Sequence, residues 1–199
     1  MRRQSFTVAG IDLAGVSHRP SGCCLLDRLK AETKLLYTDE EILDWVRKEK
    51  PDLIAIDAPL TLPPGRESID ERNDSHFRLC DMELRRRKIP FFPITLGPMR
   101  VLTKRGIKLR KILEGEGFRV VEIYPGGAQD IWNIPRARHN RSGLREGLRK
   151  LGITGLKKQC TDHELDAASG ALVGYLYLQD EAEVYGDFES GAIIMPPKS

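Results

Sequence analysis

No stretch of this chain approaches the roughly 18 to 20 consecutive apolar residues that a helical membrane span requires, so a membrane protein is not expected. The N-terminus, Met1-Arg2-Arg3-Gln4-Ser5-Phe6, is charged but leads into no apolar h-region, and no secretion signal is expected. The four cysteines, Cys23, Cys24, Cys80 and Cys160, form no C-x-x-C pair, and reduced thiols in a cytoplasmic protein are the economical reading. His76 and Cys80 have helical i, i+4 spacing, but two further soft ligands are missing, which argues against a zinc site. Asn and Gln together number only seven while charged residues reach 31%, a bias met in thermophile proteins. Internal repeats and low-complexity tracts are also absent. What remains is a chain of 199 residues, 40% hydrophobic, which fits one globular domain with a full core.

The net charge of +3 hides an uneven distribution. From Arg85 to Lys158 there are 19 Lys and Arg against 5 Asp and Glu, a local charge of +14 that leaves −11 for the rest. Such a split fits either a basic surface facing a polyanion or ordinary solvated helix faces.

Along the chain, Thr7–Leu13, Gly22–Asp27 and Lys34–Tyr37 read as three strands of an antiparallel meander. Thr38-Asp39-Glu40-Glu41 is a capping box opening a helix to about Lys50, and Leu53–Asp57 is a buried strand beyond it. Strand, helix, strand at this spacing predicts a parallel crossover. Ala58 to Asp74, with three prolines and a glycine, is loop. Helices are expected at about Ser75–Lys88, Arg100–Glu114 and Ser142–Leu151, with a strand at Arg119–Tyr124. Thr161-Asp162-His163-Glu164 is a second capping box, starting a helix that runs to about Gln179 and is apolar nearly all round, hence buried. Ala192–Met195 is a candidate short edge strand. One domain over residues 1–199 is expected, with a loop and helical insertion at about 58–118.

Three of these strands carry an acid in an apolar setting: Asp12 in Ala9-Gly10-Ile11-Asp12-Leu13-Ala14-Gly15, Asp57 closing Leu53-Ile54-Ala55-Ile56, and Glu122 within Val120-Val121-Glu122-Ile123-Tyr124-Pro125. An ionised carboxylate among apolar groups costs several kcal/mol or more unless it is paired, hydrogen-bonded or bound to a cation. Convergence of these acids on a divalent metal, as in a nuclease, explains all three together.

The segments G-I-D-L-A-G, I-A-I-D-A-P-L-T-L-P, Arg78-Leu79-Cys80-Asp81, V-E-I-Y-P, H-E-L-D-A-A and the trailing G-A-I-I-M-P, taken in this order from Gly10 to Pro196, resemble domain-of-unknown-function family 429. Its members are predicted nucleases of the RNase H-like superfamily. The resemblance implies an α/β fold with a mixed five-stranded sheet, the second strand antiparallel, flanked by helices. It also implies a metal site from acids on the first strand, at the end of the fourth and on the final helix, which here are Asp12, Asp57 and Asp166, with Glu122 a further candidate. The H-x-x-D-A pattern at His163–Ala167 is similar to the RuvC branch of that superfamily, where a histidine and an aspartate near the start of the last helix serve metal binding and water activation.

Phosphodiester hydrolysis needs charge compensation, an activated water and a stabilised leaving oxygen, which a pair of hard cations about 4 Å apart provides. Magnesium or manganese is the expected cofactor, held by Asp12, Asp57, Asp166 and Glu122, with His163 near the attacking water. Arg78, Asp81, Arg100 and Lys104 are the candidate substrate-binding residues, and DNA or RNA the expected partner.

Each assignment has a structural counterpart. Asp12 could close a turn, Asp57 form an Asx-turn, Asp166 complement the helix dipole and His163 cap it. Glu122 could pair with an arginine such as Arg119 or Arg100, and Arg78 with Asp81 on one helical face. Arg85-Arg86-Arg87-Lys88 is either a solvated helix end or a phosphate contact. Two other classes stay open: an ATP-binding phosphotransferase of the actin and sugar-kinase type, against which Gly15-Val16-Ser17 lacks a glycine-rich phosphate loop, and a catalytically silent nucleic-acid-binding module.

Overall fold

The computed structural model describes residues 5–198. Strands β1 (Thr7–Asp12), β2 (Ser21–Asp27) and β3 (Lys30–Leu36) are followed by helix α1 (Asp39–Glu49) and strand β4 (Leu53–Asp57). Helices α2 (Leu79–Arg86) and α3 (Gly97–Gly115) then lead to β5 (Val120–Ile123). Helices α4 (Pro125–Ile131), α5 (Arg141–Lys150) and α6 (Asp162–Leu178) precede a terminal pair, β6 (Glu183–Asp187) and β7 (Gly191–Met195).

The meander closes through Arg28 and Leu29, both with positive φ (46° and 65°), the conformation that matches a two-residue turn to the twist of its strands. This tight turn starts β3 at Lys30, earlier than the expected Lys34. β1 then pairs with β4 in parallel through the α1 crossover. α1 opens on the expected capping box, Thr38 and Glu41 exchanging both bonds.

The sheet has seven strands in the order β3-β2-β1-β4-β5-β7-β6, where five were expected. The two additional strands form an antiparallel hairpin that joins the far edge, β7 running parallel to β5. Of the pair, β7 matches the candidate edge strand at Ala192–Met195 but lies between β5 and β6, and the sequence of β6, Glu-Val-Tyr-Gly-Asp, hides a strand in which only Tyr185 is buried. The expected helix at Ser75–Lys88 contracts to α2 because residues 66–75 form a loop wrapped around Arg66, whose guanidinium donates to the carbonyls of Glu71, Asn73 and Ser75.

Alternation along the strands sorts the residues into two packed faces. Val8, Leu53, Ala55, Val121 and Ile123 lie with α6 and its residues Leu165, Ala168 and Leu172. On the other face Ile11, Ile54 and Ile56 meet Ile42 and Val46 of α1 and Leu109 and Leu113 of α3. Helix α3, within the expected insertion, is thus part of a main core. Cys80 and Leu84 of α2 cover Tyr185, Ile193 and Met195 of the terminal hairpin.

Helix α6 lies unusually close to the sheet. An added Cβ at Gly10 would stand 2.1 Å from the Ala167 carbonyl oxygen, and one at Gly22 would stand 2.0 Å from that of His163. These are backbone contacts, so no rotamer change relieves them. Gly10→Ala is therefore expected to push α6 off β1 and to cost about 1–3 kcal/mol or more, read from the urea midpoint at constant m-value. Gly115→Ala, where nothing lies within 4 Å of the added carbon, serves as the control and is expected to leave stability unchanged or raise it by up to about 1 kcal/mol.

Candidate functional site

In open α/β sheets ligands bind outside the carboxyl ends of the parallel strands. Here β1 and β4 end on Asp12 and Asp57, which are direct register partners on strands about 4.8 Å apart. Asp12 shares the parity of Val8 and Gly10, and Asp57 that of Leu53 and Ala55, so both carboxylates rise on the α6 face. The close approach at Gly22 brings the first turn of α6 over the strand end, and His163 Nδ1 lies 2.6 Å from Asp12 Oδ2. One turn on, Asp166 Oδ1 accepts a 2.7 Å hydrogen bond from Gln129 Nε2, which also donates to Ser169 Oγ at 3.0 Å. Gln129 is buried and belongs to α4, a helix that Pro125-Gly126-Gly127 disguises as a turn in the sequence, so no local signal marked this residue.

The three aspartates are in electrostatic conflict. Burial, followed by the charges of Asp12, Asp166 and Glu122, pushes the Asp57 carboxyl well above the ordinary carboxylate range. The Asp166 carboxyl is pushed up to about 7 by burial and then by Asp12, against the opposing pull of Gln129 and His163. Imidazole His163 gains basicity from its bond to Asp12. Among the described residues no lysine or arginine pairs with any of the three, and no hydrogen bond holds Asp57. Nor are three or more His, Cys, Asp or Glu groups already drawn to ligating distance of one point among the described residues. As a donor set, three carboxylates at one strand end, of which only Asp12 and Asp166 have a side-chain partner, match hard divalent cations, which take oxygen ligands and relieve this kind of repulsion.

Glu122 lies elsewhere. Its register partner is Ile56, so it points to the face opposite Asp57. There Arg78 grips both oxygens, Nη1 to Oε2 at 2.6 Å and Nη2 to Oε1 at 2.8 Å, and the Leu60 N–H adds a third bond at 2.8 Å. Arg78 also binds Asp81 through Nε and Nη2 at 3.1 and 2.9 Å, and Thr61 Oγ1 at 3.2 Å, so all five of its N–H groups are used. Both Arg78 and Asp81 are buried. Burial lifts the Glu122 carboxyl, while Arg78 pulls it back. Arg78 thus fills the arginine role foreseen for Arg119 or Arg100. The network ties the loop after β4 and the start of α2 to β5.

Arg100 and Lys104 stand on exposed turns of α3, and both pair with Asp70 of the loop, Arg100 at 2.8 Å. Further along the helix Arg105 and Lys108 share Asp39 at 2.7 and 3.0 Å. The run Arg85–Lys88 lies at the end of α2, where Arg86 and Arg87 both bind Glu83.

Two expectations follow. Without divalent cations, native Asp166 still holds a proton between the unfolded carboxyl value of about 3.9 and about 7. The unfolded chain has released it, so stability falls as pH rises through this window. Thermal melts in EDTA should show that decline, and Asp166→Asn should lessen it, the raised Asp57 carboxyl contributing the remainder. Glu122→Gln should cost about 1–3 kcal/mol in urea unfolding, with or without divalent cations, because an amide NH2 replaces one of the oxygens that accept from the buried Arg78, while Asp81 still balances its charge.

No curated protein matches the chain. Among solved structures, the fold is similar to that of Thermus thermophilus RuvC, with a TM-score of 0.50 and 16% identity over 87% of this chain and 96% of that one. That likeness establishes a shared RNase H-like architecture. The family described as protein of unknown function, DUF429, matches residues 10–190, and with nearly the whole sequence covered the chain belongs to that family.

Proposed function

We propose that the protein is a divalent-metal-dependent nuclease that hydrolyses phosphodiester bonds in DNA or RNA. The observation that carries this reading is the meeting of Asp12, Asp57 and Asp166 at one strand end with no lysine or arginine among the described residues to neutralise them. The RuvC-like fold and the predicted-nuclease family support it. Asp12, Asp57 and Asp166 would hold magnesium or manganese, which supplies charge neutralisation at the phosphate and acidifies the attacking water. Asp12 orients His163 through Nδ1, leaving Nε2 to take a proton from that water. Gln129 fixes the rotamer of Asp166. Glu122, in this reading, braces the loop that follows Asp57 instead of binding the cation. Cations of α3, the half-buried Arg100 and the exposed Lys104 among them, contact the substrate backbone. Among the described residues no helix is long and apolar enough to cross a membrane, and the four buried free thiols support a cytoplasmic setting.

The test is cleavage of labelled single-stranded, duplex and branched substrates with and without Mg²⁺ or Mn²⁺, alongside thermal melts. Metal-dependent cleavage is expected, abolished in Asp12→Asn and in Asp57→Asn, and reduced about a hundredfold or more in His163→Ala. Manganese should raise the melting temperature of the wild type, more so at pH 8 than at pH 5, and should not raise that of the Asp12→Asn, Asp57→Asn double variant. The absence of both cleavage and a manganese-dependent shift in melting at saturating metal would overturn the proposal.

A further inference from the structure

Beside Asp57, on the side away from α6, the structure holds a recess of about 190 Å³ that the proposed chemistry does not use. One wall is the end of β4, from Asp57 to Pro59; the others include Phe91, Phe92, Met99, Leu102 and Tyr124. This volume lies below the ~300–1,000 Å³ of sites that take whole small molecules. It admits a single flat ring, without the sugar and phosphates of a nucleotide.

The chemistry of the walls narrows the occupant. Arg78 reaches the floor, but its five N–H groups are all committed to Asp81, Glu122 and Thr61. The recess therefore offers aromatic and thioether surface and no spare guanidinium donor for an anion. Phe91 is a fixed wall, packed edge-to-face on Phe77 at 6.2 Å. Its segment is tethered, since Tyr124 Oη donates to the Pro90 carbonyl at 2.6 Å. Phe92, by contrast, is 68% exposed at the mouth, an aromatic ring that the fold itself does not need to cover.

We infer that this recess receives one unpaired nucleobase of the substrate strand, stacked on Phe92, beside the phosphodiester positioned at Asp57. The choice of ligand rests on the nuclease reading above, and it deepens that reading by naming a substrate class. A base inside an intact duplex is stacked and paired and cannot enter a side pocket without being extruded. The preferred substrate is therefore single-stranded or locally opened nucleic acid. Asp81 and Glu122 also line the recess, but both are bonded to Arg78, so base contact falls to the ring faces and the recess tolerates different bases.

The experiment measures binding in EDTA, where metal-dependent cleavage is silent. Fluorescence anisotropy compares a labelled oligothymidylate, a strand of equal length built wholly of abasic units, and a blunt duplex. Wild-type protein is expected to bind the oligothymidylate about tenfold or more tightly than the abasic strand. Phe92→Ala should remove about that factor on the oligothymidylate and leave the abasic strand unchanged, while Phe92→Tyr should retain it. Equal affinity for the two strands, an equal loss on both in Phe92→Ala, tighter binding of the duplex, or no binding of any probe would overturn the inference. The ring is exposed, so the alanine variant keeps its fold, and its melting curve checks this. A Phe92-dependent preference with neither metal-dependent cleavage nor a manganese-dependent melting shift would sink the nuclease reading and keep the base pocket. Cleavage of duplex indifferent to Phe92 would do the reverse.

Discussion

The contact between the backbone of α6 and the backbones of β1 and β2 governs where everything else in this molecule stands. Two residues without side chains, Gly10 and Gly22, allow it, and the small residues Ala167 and Ala171 supply the other half of the interface. Had either glycine carried a Cβ, the helix would ride higher on the sheet. His163 would then no longer reach Asp12, and Asp166 would move away from the strand ends. The same packing half-buries the acids, and this with their mutual repulsion is why the Asp57 and Asp166 carboxyls lie above the usual carboxylate range. Close packing and electrostatic conflict thus arise from one structural decision, and the conflict is what a hard cation would resolve.

What could be read from the chain follows from how local each signal is. The capping boxes at Thr38 and Thr161 are self-contained, and both helices start where those residues place them. Apolar runs ending in an acid located β1 and β4, and period-two alternation with parallel pairing then puts Asp12 and Asp57 on one face. Glu122 could not be sorted this way. Its strand has only four residues, and its face depends on pairing with β4, a long-range fact that places it beside Ile56. Gln129 was illegible for a similar reason, because α4 is held by packing against α6 and not by its own helix propensity. The terminal hairpin buries one side chain of β6, too few to produce a strand pattern.

Arg78 with Asp81 and Glu122 shows how a charged cluster can look functional in sequence and be architectural in space. One guanidinium faces two carboxylates, all three buried, and every donor of the arginine is engaged. Such a cluster gains little stability over apolar packing, but losing one partner is costly. Its placement gives it a purpose: it anchors the Leu60–Thr61 loop, α2 and β5 to one another, directly behind the residues that follow Asp57. That braces the loop after Asp57 without touching its carboxylate oxygens.

Charge elsewhere answers a difficulty raised by the acidic cluster itself. A phosphate backbone approaching Asp12, Asp57 and Asp166 meets like charge, so attraction must come from another surface. Helix α3 provides one. Asp70 is shared by Arg100 and Lys104, and Asp39 by Arg105 and Lys108, so each acid faces two cations and leaves one unit of positive charge over. Lys104 and Lys108 are more than half exposed, and ion pairs of that kind are worth about 0–1 kcal/mol, too little to resist exchange for a phosphate. The basic character of this region in the sequence is therefore only partly cancelled by the fold. The surplus lies on the helix whose Met99 and Leu102 line the recess next to Asp57, so under the proposed nuclease reading a strand drawn to α3 would arrive at the carboxyl end of the sheet.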